Sequence, residues 1–139
     1  MAKHCETFDH TADVGLRAEA DSLAELLEAL AEGLADVLCD RSRVAPARSR
    51  TVAVRAEDVE ALAVDLLSEV LLAFEMDRFL VGRVTVTSAT ATAAEAELAG
   101  EPHDPARHEL RTEVKAVTYH QLQIAPRGRG WIGRVILDL

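Results

Sequence analysis

Apolar residues recur at the three- and four-residue spacing of a buried helix face in two stretches of the chain. The first opens with Ser22-Leu23-Ala24-Glu25, a capping-box sequence, and predicts a helix over residues 22–39. The second follows Asp58 and predicts a helix over residues 58–77. The leucines expected in the core are Leu27, Leu30, Leu66 and Leu67. The acids on the opposite face of the first helix, which we interpret as solvated, are Glu25, Glu28, Glu32 and Asp36.

Outside these helices the pattern changes to the apolar–polar alternation of half-buried strands. It predicts strands over residues 3–8, 14–19, 51–55, 80–87, 90–98, 112–124 and 131–139. Strand 112–124 places His120 on the same face as Val114 and Ile124, so a packed core or edge histidine is the default interpretation and a functional role is the alternative. The order of elements predicts an α+β fold, a mostly antiparallel sheet with two amphipathic helices packed on one face as a second layer. We expect one domain over residues 1–139.

The charge balance limits the classes of partner. With 15 Lys and Arg against 24 Asp and Glu, the net charge is −9 and the pI is about 5.0. Because contact with phosphate groups requires a surplus of Lys and Arg, no direct nucleic-acid binding is expected. No membrane span or secretory signal is visible. Cys5 and Cys39 lack a metal-binding spacing and fit the reduced thiols of a cytoplasmic protein, although a disulfide remains open.

The stretch from Phe8 to Gly15 concentrates polar side chains between apolar residues. It holds Asp9, His10 and Asp13, and its glycine permits another segment to approach closely. Short carboxylates held together by a turn supply the oxygen ligands that a hard divalent cation prefers. The alternative is an Asx-type turn in which Asp9 and Asp13 bond only nearby backbone amides.

A second acidic group stands at Asp138-Leu139, where a side-chain carboxylate lies one residue from the terminal carboxylate. A cation would relieve the repulsion between them. The residues therefore suggest a divalent-metal site built from Asp13, Asp138 and Leu139, with Asp9 and His10 as further candidates. Candidates for a polar group beside that site are Lys115, Thr118, Tyr119 and His120.

Several other chemistries lack their sequence signatures. No serine stands in a Gly-x-Ser-x-Gly elbow, which disfavours a serine hydrolase of that type. There is no Walker sequence and no Gly-x-Gly-x-x-Gly motif. The five histidines and two cysteines lack the spacing of zinc ligands. An oxygen-rich divalent-metal site remains the main chemical hypothesis from the residues.

Three motifs in this order resemble the archease family. They are Phe8-Asp9-His10-Thr11-Ala12-Asp13-Val14-Gly15, Val114-Lys115-Ala116-Val117-Thr118-Tyr119-His120 and Val135-Ile136-Leu137-Asp138-Leu139. The helix of residues 62–72 with Asp65 and Glu69, Gly100-Glu101 with Asp104, and His108 also stand in the family's order. The resemblance therefore covers the whole length of the chain.

Archeases are protein cofactors of the RtcB-type RNA ligase, which joins 3′-phosphate ends in tRNA splicing and RNA repair. The resemblance implies a non-enzymatic activator that promotes guanylylation of the ligase's active-site histidine and lets the ligase turn over repeatedly. It also implies a divalent-metal site, with calcium as the metal, formed by Asp13, Asp138 and Leu139, the last through its backbone or terminal carboxylate. Lys115 and His120 would either assist guanylylation or shape the contact surface.

Two alternatives remain open from the sequence. A small metal-dependent hydrolase would use Asp13, Asp138 and His120 itself and would need a substrate pocket. A direct RNA-binding or chaperone-like module would have to overcome the net charge of −9 and the small number of aromatic side chains available for stacking on bases.

Overall fold

A computed structural model describes residues 3–10 and 13–139, and for residues 9 and 10 it describes the backbone only. The fold is α+β, as expected. Its elements are β1 (His4–His10), β2 (Asp13–Ala20), α1 (Leu23–Leu38), a 3₁₀ turn (Arg41–Arg43), β3 (Arg48–Arg55), α2 (Val59–Asp77), β4 (Phe79–Ala89), β5 (Ala93–Pro102), β6 (Ala116–Arg127) and β7 (Gly130–Asp138). Within the described ranges, no helix combines the length and the apolar character needed to cross a membrane.

Both long helices begin at the caps that the sequence indicates. The hydroxyl of Ser22 accepts the backbone N–H of Glu25 at 3.1 Å and donates to the Glu25 carboxylate at 3.0 Å. Asp58 accepts the N–H of Ala61 at 2.8 Å at the start of α2. Helix α2 ends at Arg78, whose left-handed backbone (φ 54°) terminates the helical hydrogen-bond pattern. The helix boundaries therefore match the sequence prediction to within one residue.

The core lies between the helices and the inward faces of the strands. Leu27, Leu30, Leu66 and Leu67 are completely buried, which confirms their assignment to the core. Helix α1 packs against β2, β4 and β7, and α2 packs against β3, β4 and β6. The apolar stripes of both helices are thereby removed from water, which is the main favourable contribution to folding.

The strands form two sheets rather than the single sheet expected. One sheet has the order β1-β2-β7-β6 and the other has the order β3-β5-β4, with every pairing antiparallel. The first sheet joins the N-terminal and C-terminal hairpins through β2 and β7, while the strands between α1 and residue 102 pair among themselves. Alternation within a strand does not specify a distant partner, so the sequence pattern alone could not separate the sheets.

The interpretation of the acidic face of α1 as simply solvated is wrong for two residues. Strand β4 is an edge of the second sheet, so its outer N–H groups lack a neighbouring strand. Glu32 accepts the N–H of Val84 at 3.0 Å, and Glu28 accepts the N–H of Val86 at 2.8 Å. The carboxylates of α1 thus take the place of a missing strand, and both are half-buried or buried.

The prediction of an unbroken strand over residues 112–124 is also wrong. Strand β6 begins at Ala116, and residues 119–122 form a bulge, because Thr118 pairs with Ile136 whereas Gln123 already pairs with Arg134. Gln121 has a left-handed backbone (φ 51°) within this bulge. The extra residues break the two-residue alternation, so His120 is exposed rather than on the apolar face.

Cys5 and Cys39 are free thiols in the structure. Burial raises the pKa of the Cys5 thiol to about 12, with a further contribution from the Asp36 carboxylate. Burial and the same carboxylate raise the pKa of Cys39 to about 11. Both thiols are therefore protonated and weakly nucleophilic at neutral pH.

Candidate functional site

One end of the first sheet brings the two acidic motifs together. Asp13 of β2 is the direct partner of Asp138 of β7. His10 of β1 pairs with Asp13, and Ala116 of β6 pairs with Asp138, so the four residues form a row across the sheet, here called the acidic row. Asp13 is half-buried and Asp138 is exposed. Residues 125 positions apart in the chain are thus neighbours, which satisfies the condition that a shared cation site imposes on the backbone.

Close packing of Phe8 on Gly15 supports this end of the sheet. A Cβ atom at residue 15 would collide with the Phe8 ring, so only glycine fits beneath it. The guanidinium groups of Arg17 and Arg134 lie 4.5 and 5.2 Å from the centre of the same ring. The sequence suggested that another segment approaches Gly15 closely, and in the structure the Phe8 ring does so. Gly15 is two residues from Asp13 along β2.

The donors at the sheet end suit a hard cation. Like charges directly opposite on neighbouring strands repel each other, and a divalent cation between Asp13 and Asp138 would remove that repulsion. Among the described residues there is no group of three or more His, Cys, Asp or Glu side chains placed to hold a metal. The side chains of Asp9 and His10, together with residues 11 and 12, lie outside the description, so the alternative of an Asx-type turn stays open.

Lys115 is attached to the acidic pair through its backbone. Its N–H donates to the carbonyl oxygen of Asp138 at 2.8 Å, immediately before β6 begins at Ala116. Its side chain is exposed.

Tyr119 and His120 lie in the bulge of β6, and Thr118 is the last paired residue before it. The hydroxyl of Thr118 donates to the carbonyl oxygen of Ile136 at 2.9 Å and accepts the N–H of His120 at 3.3 Å. Tyr119 is 61% exposed and His120 is exposed. Thr118 thus shapes the bulge, while Tyr119 and His120 form part of the outer surface. Leu139, half-buried, follows Asp138 and packs against the core.

A groove of about 650 Å³ is lined in part by Lys115. Its apolar lining comes from the end of α1, from α2 and from the segment before β6: Leu38, Leu71, Phe74, Leu110 and Val114. Asp13, Asp138 and His120 are not among its lining residues. The groove therefore does not provide the substrate pocket that a hydrolase using those three residues would require.

A buried hydrogen-bonded pair, which the sequence pattern did not identify as functional, lies at the end of β5. His108 donates through Nε2 to the Glu101 carboxylate at 2.8 Å, and both side chains are buried. The same carboxylate accepts the N–H of Ala45 at 2.8 Å and contacts Arg107. The only sequence signal was that Glu101 and His108 stand in the order expected from the family resemblance. Their pairing across the loop becomes visible only in three dimensions.

The sequence of this chain matches a protein-family model and several relatives. The model of the Archease protein family (MTH1598/TM1083) matches residues 5–139. "Protein archease" of Thermococcus kodakarensis is 38% identical over 96% of this chain and 97% of its own length. The corresponding protein of Methanosarcina acetivorans is 34% identical over 100% and 98% of the two chains.

Two solved structures extend the likeness to the fold. The solution structure of Methanobacterium thermoautotrophicum protein 1598 gives a TM-score of 0.84 at 34% identity, covering 97% of this chain and 98% of that one. The crystal structure of a Thermotoga maritima archease, described as a possible chaperone, gives a TM-score of 0.64 at 20% identity, covering 96% of each chain, and supports the fold alone. The family model, the relatives of more than 30% identity and the shared fold together establish that this chain belongs to the archease family.

Proposed function

We propose that this protein is a non-enzymatic activator of an RtcB-type RNA ligase in the cytoplasm. It promotes guanylylation of the ligase's active-site histidine and allows many turnovers during tRNA splicing and RNA repair. Family membership supports the class of function. The single observation that carries the site is the direct pairing of Asp13 with Asp138, with Lys115 attached to the Asp138 carbonyl.

Asp13 and Asp138, with the main-chain oxygens of Leu139, would hold a divalent metal, for which calcium is the candidate. When bound, the metal would supply a positive charge to neighbouring oxygen ligands of the complex. The protein's own contribution is to keep two carboxylates on adjacent strands of a rigid sheet, so that their spacing does not depend on a mobile loop. Phe8 packed on Gly15 supports β2 at this point.

The exposed groups around the acidic row would contact the ligase. Lys115 presents an ammonium group to acidic or phosphate groups of the ligase–nucleotide complex, and Tyr119 and His120 present an exposed aromatic pair on the β6 bulge. Asp9 and His10 at the end of β1, where His10 pairs with Asp13, complete the set of candidate contact residues. Direct RNA contact is not required, in keeping with the net charge of −9.

Reconstitution of RNA joining tests this proposal. Purified ligase, GTP, divalent metal and RNA with 3′-phosphate and 5′-hydroxyl ends are incubated with substoichiometric amounts of this protein. We expect the amount of joined RNA to exceed the amount of ligase only when this protein is present. Asp13→Ala and Asp138→Ala should abolish the increase, whereas Asp77→Ala, which removes an exposed carboxylate paired with Arg50, should leave it unchanged.

Full stimulation by Asp13→Ala would contradict the role of the acidic pair. Hydrolysis of GTP or RNA by this protein alone in the presence of metal would favour the hydrolase alternative. A salt-sensitive complex between this protein and RNA in the absence of the ligase, together with stimulation of RNA joining, would favour the chaperone-like module.

A further inference from the structure

The segment of residues 108–115, here called the strap, crosses from the end of β5 to the acidic end of the first sheet. It has no helix and only one isolated bridge, between Cys39 and Leu110. Its path follows the C-terminal end of α1: the N–H groups of Arg111 and Thr112 donate to the carbonyls of Leu38 and Val37 at 2.8 and 3.2 Å. The strap therefore satisfies carbonyl groups that α1 leaves without helical partners.

The far end of the strap is attached to the candidate site. Lys115 N–H donates to the Asp138 carbonyl at 2.8 Å, and Ala116 then pairs with Asp138 as β6 begins. The position of Lys115 relative to Asp138 is thus set by where the strap arrives. Because residues 111–115 lie outside regular secondary structure, that position depends on the bonds that hold the strap, both along the end of α1 and at its start.

The start of the strap is held by His108 in one defined tautomer. The N–H of Asp104 donates to His108 Nδ1 at 2.8 Å, so Nδ1 is the acceptor and carries no proton. The remaining nitrogen, Nε2, then carries the proton and donates it to Glu101 at 2.8 Å. The His108 side chain is only 1% exposed, so neither of these bonds is replaced easily by water.

The Glu101 carboxylate contacts three groups from two other segments of the chain. It receives the N–H of Ala45 from the linker before β3, the imidazole of His108, and the guanidinium of Arg107. Glu101 itself is in β5, three residues after the buried core residue Leu98. The strap is therefore fastened at its start to both the second sheet and the linker, and at its end to the first sheet.

We propose that Glu101 and His108 are positioning residues that hold the strap so that Lys115 lies beside Asp138. This inference rests on the proposed function in its functional consequence, although the positioning itself is a property of the isolated protein. The two residues touch neither the acidic pair nor the exposed contact groups. They act through the strap, and their loss moves Lys115 without removing any group that contacts the ligase.

Three substitutions of His108 separate its two hydrogen bonds. His108→Gln places an amide N–H near the position of Nε2 and keeps the bond to Glu101, whereas His108→Asn keeps an acceptor near Nδ1 and loses that bond. His108→Phe preserves the ring volume and loses both. The matched control is His103→Gln, because the His103 side chain belongs to the same loop and its ring lies 6.0 Å from the His108 ring and 6.3 Å from the Phe74 ring of α2.

Amide hydrogen exchange of Lys115 and Thr112, measured by NMR, reports the strap without any ligase. We expect exchange at both amides to be at least about tenfold faster in His108→Asn and His108→Phe than in the wild type, and to be close to the wild type in His108→Gln and His103→Gln. The amides of α2 should exchange at unchanged rates in every variant that remains folded. Wild-type exchange at Lys115 in His108→Asn would overturn the proposal.

Ligase stimulation by the same variants then tests the functional consequence. We expect the maximal stimulation per amount of folded protein to be similar for the wild type, His103→Gln and His108→Gln. For His108→Asn and His108→Phe it should be at least about tenfold weaker. If His108→Asn loosens Lys115 but stimulates fully, the functional part is wrong. If the wild type itself fails to stimulate, the proposed function is wrong, while the exchange data still decide whether Glu101 and His108 position the strap.

Discussion

Single side chains in this protein often hold several backbone segments at once. Glu101 joins the linker at Ala45 to the loop at His108, and Phe8 fills the space that Gly15 leaves open on β2. In both cases a local substitution changes contacts far from it in sequence. The consequences are therefore measurable as stability and as pH dependence.

Glu101 should make stability depend on pH in the acidic range. The N–H of Ala45, followed by the His108 imidazole, lowers the pKa of the Glu101 carboxyl from 4.5 to about 2. A carboxyl whose folded pKa is lowered contributes stability that is present above its unfolded pKa and is lost as the pH falls through the folded value. We expect the free energy of unfolding of the wild type to fall more steeply from pH 4.5 to about 2 than that of Glu101→Gln.

At neutral pH Glu101→Gln should cost about 1–3 kcal/mol, because three donors, one of them the buried His108, then compete for one amide oxygen. Urea denaturation across this pH range measures both effects. Identical slopes with pH for the wild type and Glu101→Gln would contradict the lowered pKa.

Gly15→Ala should destabilise the fold by about 1–3 kcal/mol, since the new methyl group occupies the position of the Phe8 ring. The control is the same substitution in a Phe8→Leu background, where the side chain is more compact and the penalty should be smaller. A double-mutant cycle from urea denaturation measures the coupling between the two sites. Equal penalties in both backgrounds would show that the ring does not occupy the space above residue 15.

At the scale of elements, the edge strand β4 explains why two acids of α1 that the helix pattern assigns to solvent are instead hydrogen-bonded within the protein. Glu28 and Glu32 of α1 supply acceptors to the outer N–H groups of β4, and Arg41 donates to the Gly82 carbonyl at 2.9 Å. Lys3 lies 3.2 and 3.1 Å from the two carboxylates and balances their charge. The edge strand is thereby satisfied by side chains and is unavailable for pairing with another chain.

Glu32→Ala should lower the free energy of unfolding by about 1–3 kcal/mol, because it leaves the buried N–H of Val84 without a partner. Exposure of the β4 edge should also increase aggregation near the unfolding transition. The control is Glu75→Ala, which removes an exposed acid from α2 with the same change in net charge. Thermal melts with light scattering measure both quantities, and equal behaviour of the two variants would refute the role of Glu32 at the strand edge.

Local sequence patterns predicted the helices and strands better than they predicted the contacts between distant parts of the chain. Ser22 and Asp58 are caps whose bonds close within three residues, so sequence was sufficient to place both helices. The bulge of residues 119–122 depends on how β6 meets β7, and the pairing of Glu28 with Val86 joins residues 58 positions apart. Such contacts are not encoded in the spacing of apolar residues, which is why the placement of His120 on the apolar face and the assignment of Glu28 and Glu32 to solvent were wrong.

At the scale of the whole molecule, the fold brings the first residue of β2 and the last residue of β7 to the same end of the first sheet. Strands β2 and β7 are sequentially distant but paired, and they carry Asp13 and Asp138 to the same row. The resemblance of three motifs was sufficient to predict which residues belong together, although the residues alone left several alternatives. Glu101 and His108 could not be assigned a role in advance, because their contact with each other and with Ala45 exists only in the folded chain.

Calcium should stabilise the wild type and not the variants of the acidic pair. Binding to the folded state alone adds about 2.7 kcal/mol at a free calcium concentration of about 100 times Kd, which raises the Tm by several degrees. Asp13→Ala and Asp138→Ala should melt near the wild-type temperature without metal, since each removes one of two opposed carboxylates.

Calorimetric scans with and without calcium measure the shift, and Asp77→Ala is the control for loss of an exposed carboxylate. A calcium-dependent increase in Tm that persists in Asp13→Ala would contradict the assignment of Asp13 as a ligand.

Guanylylation of the ligase tests the central claim most directly. Ligase, radiolabelled GTP and metal are mixed with limiting amounts of wild-type protein or of Asp138→Ala, and covalent label on the ligase is followed before any RNA is added. We expect the wild type to accelerate labelling and each molecule to serve many ligase molecules, while Asp138→Ala gives the rate of ligase alone. An unchanged labelling rate with the wild type, or full acceleration by Asp138→Ala, would contradict the account.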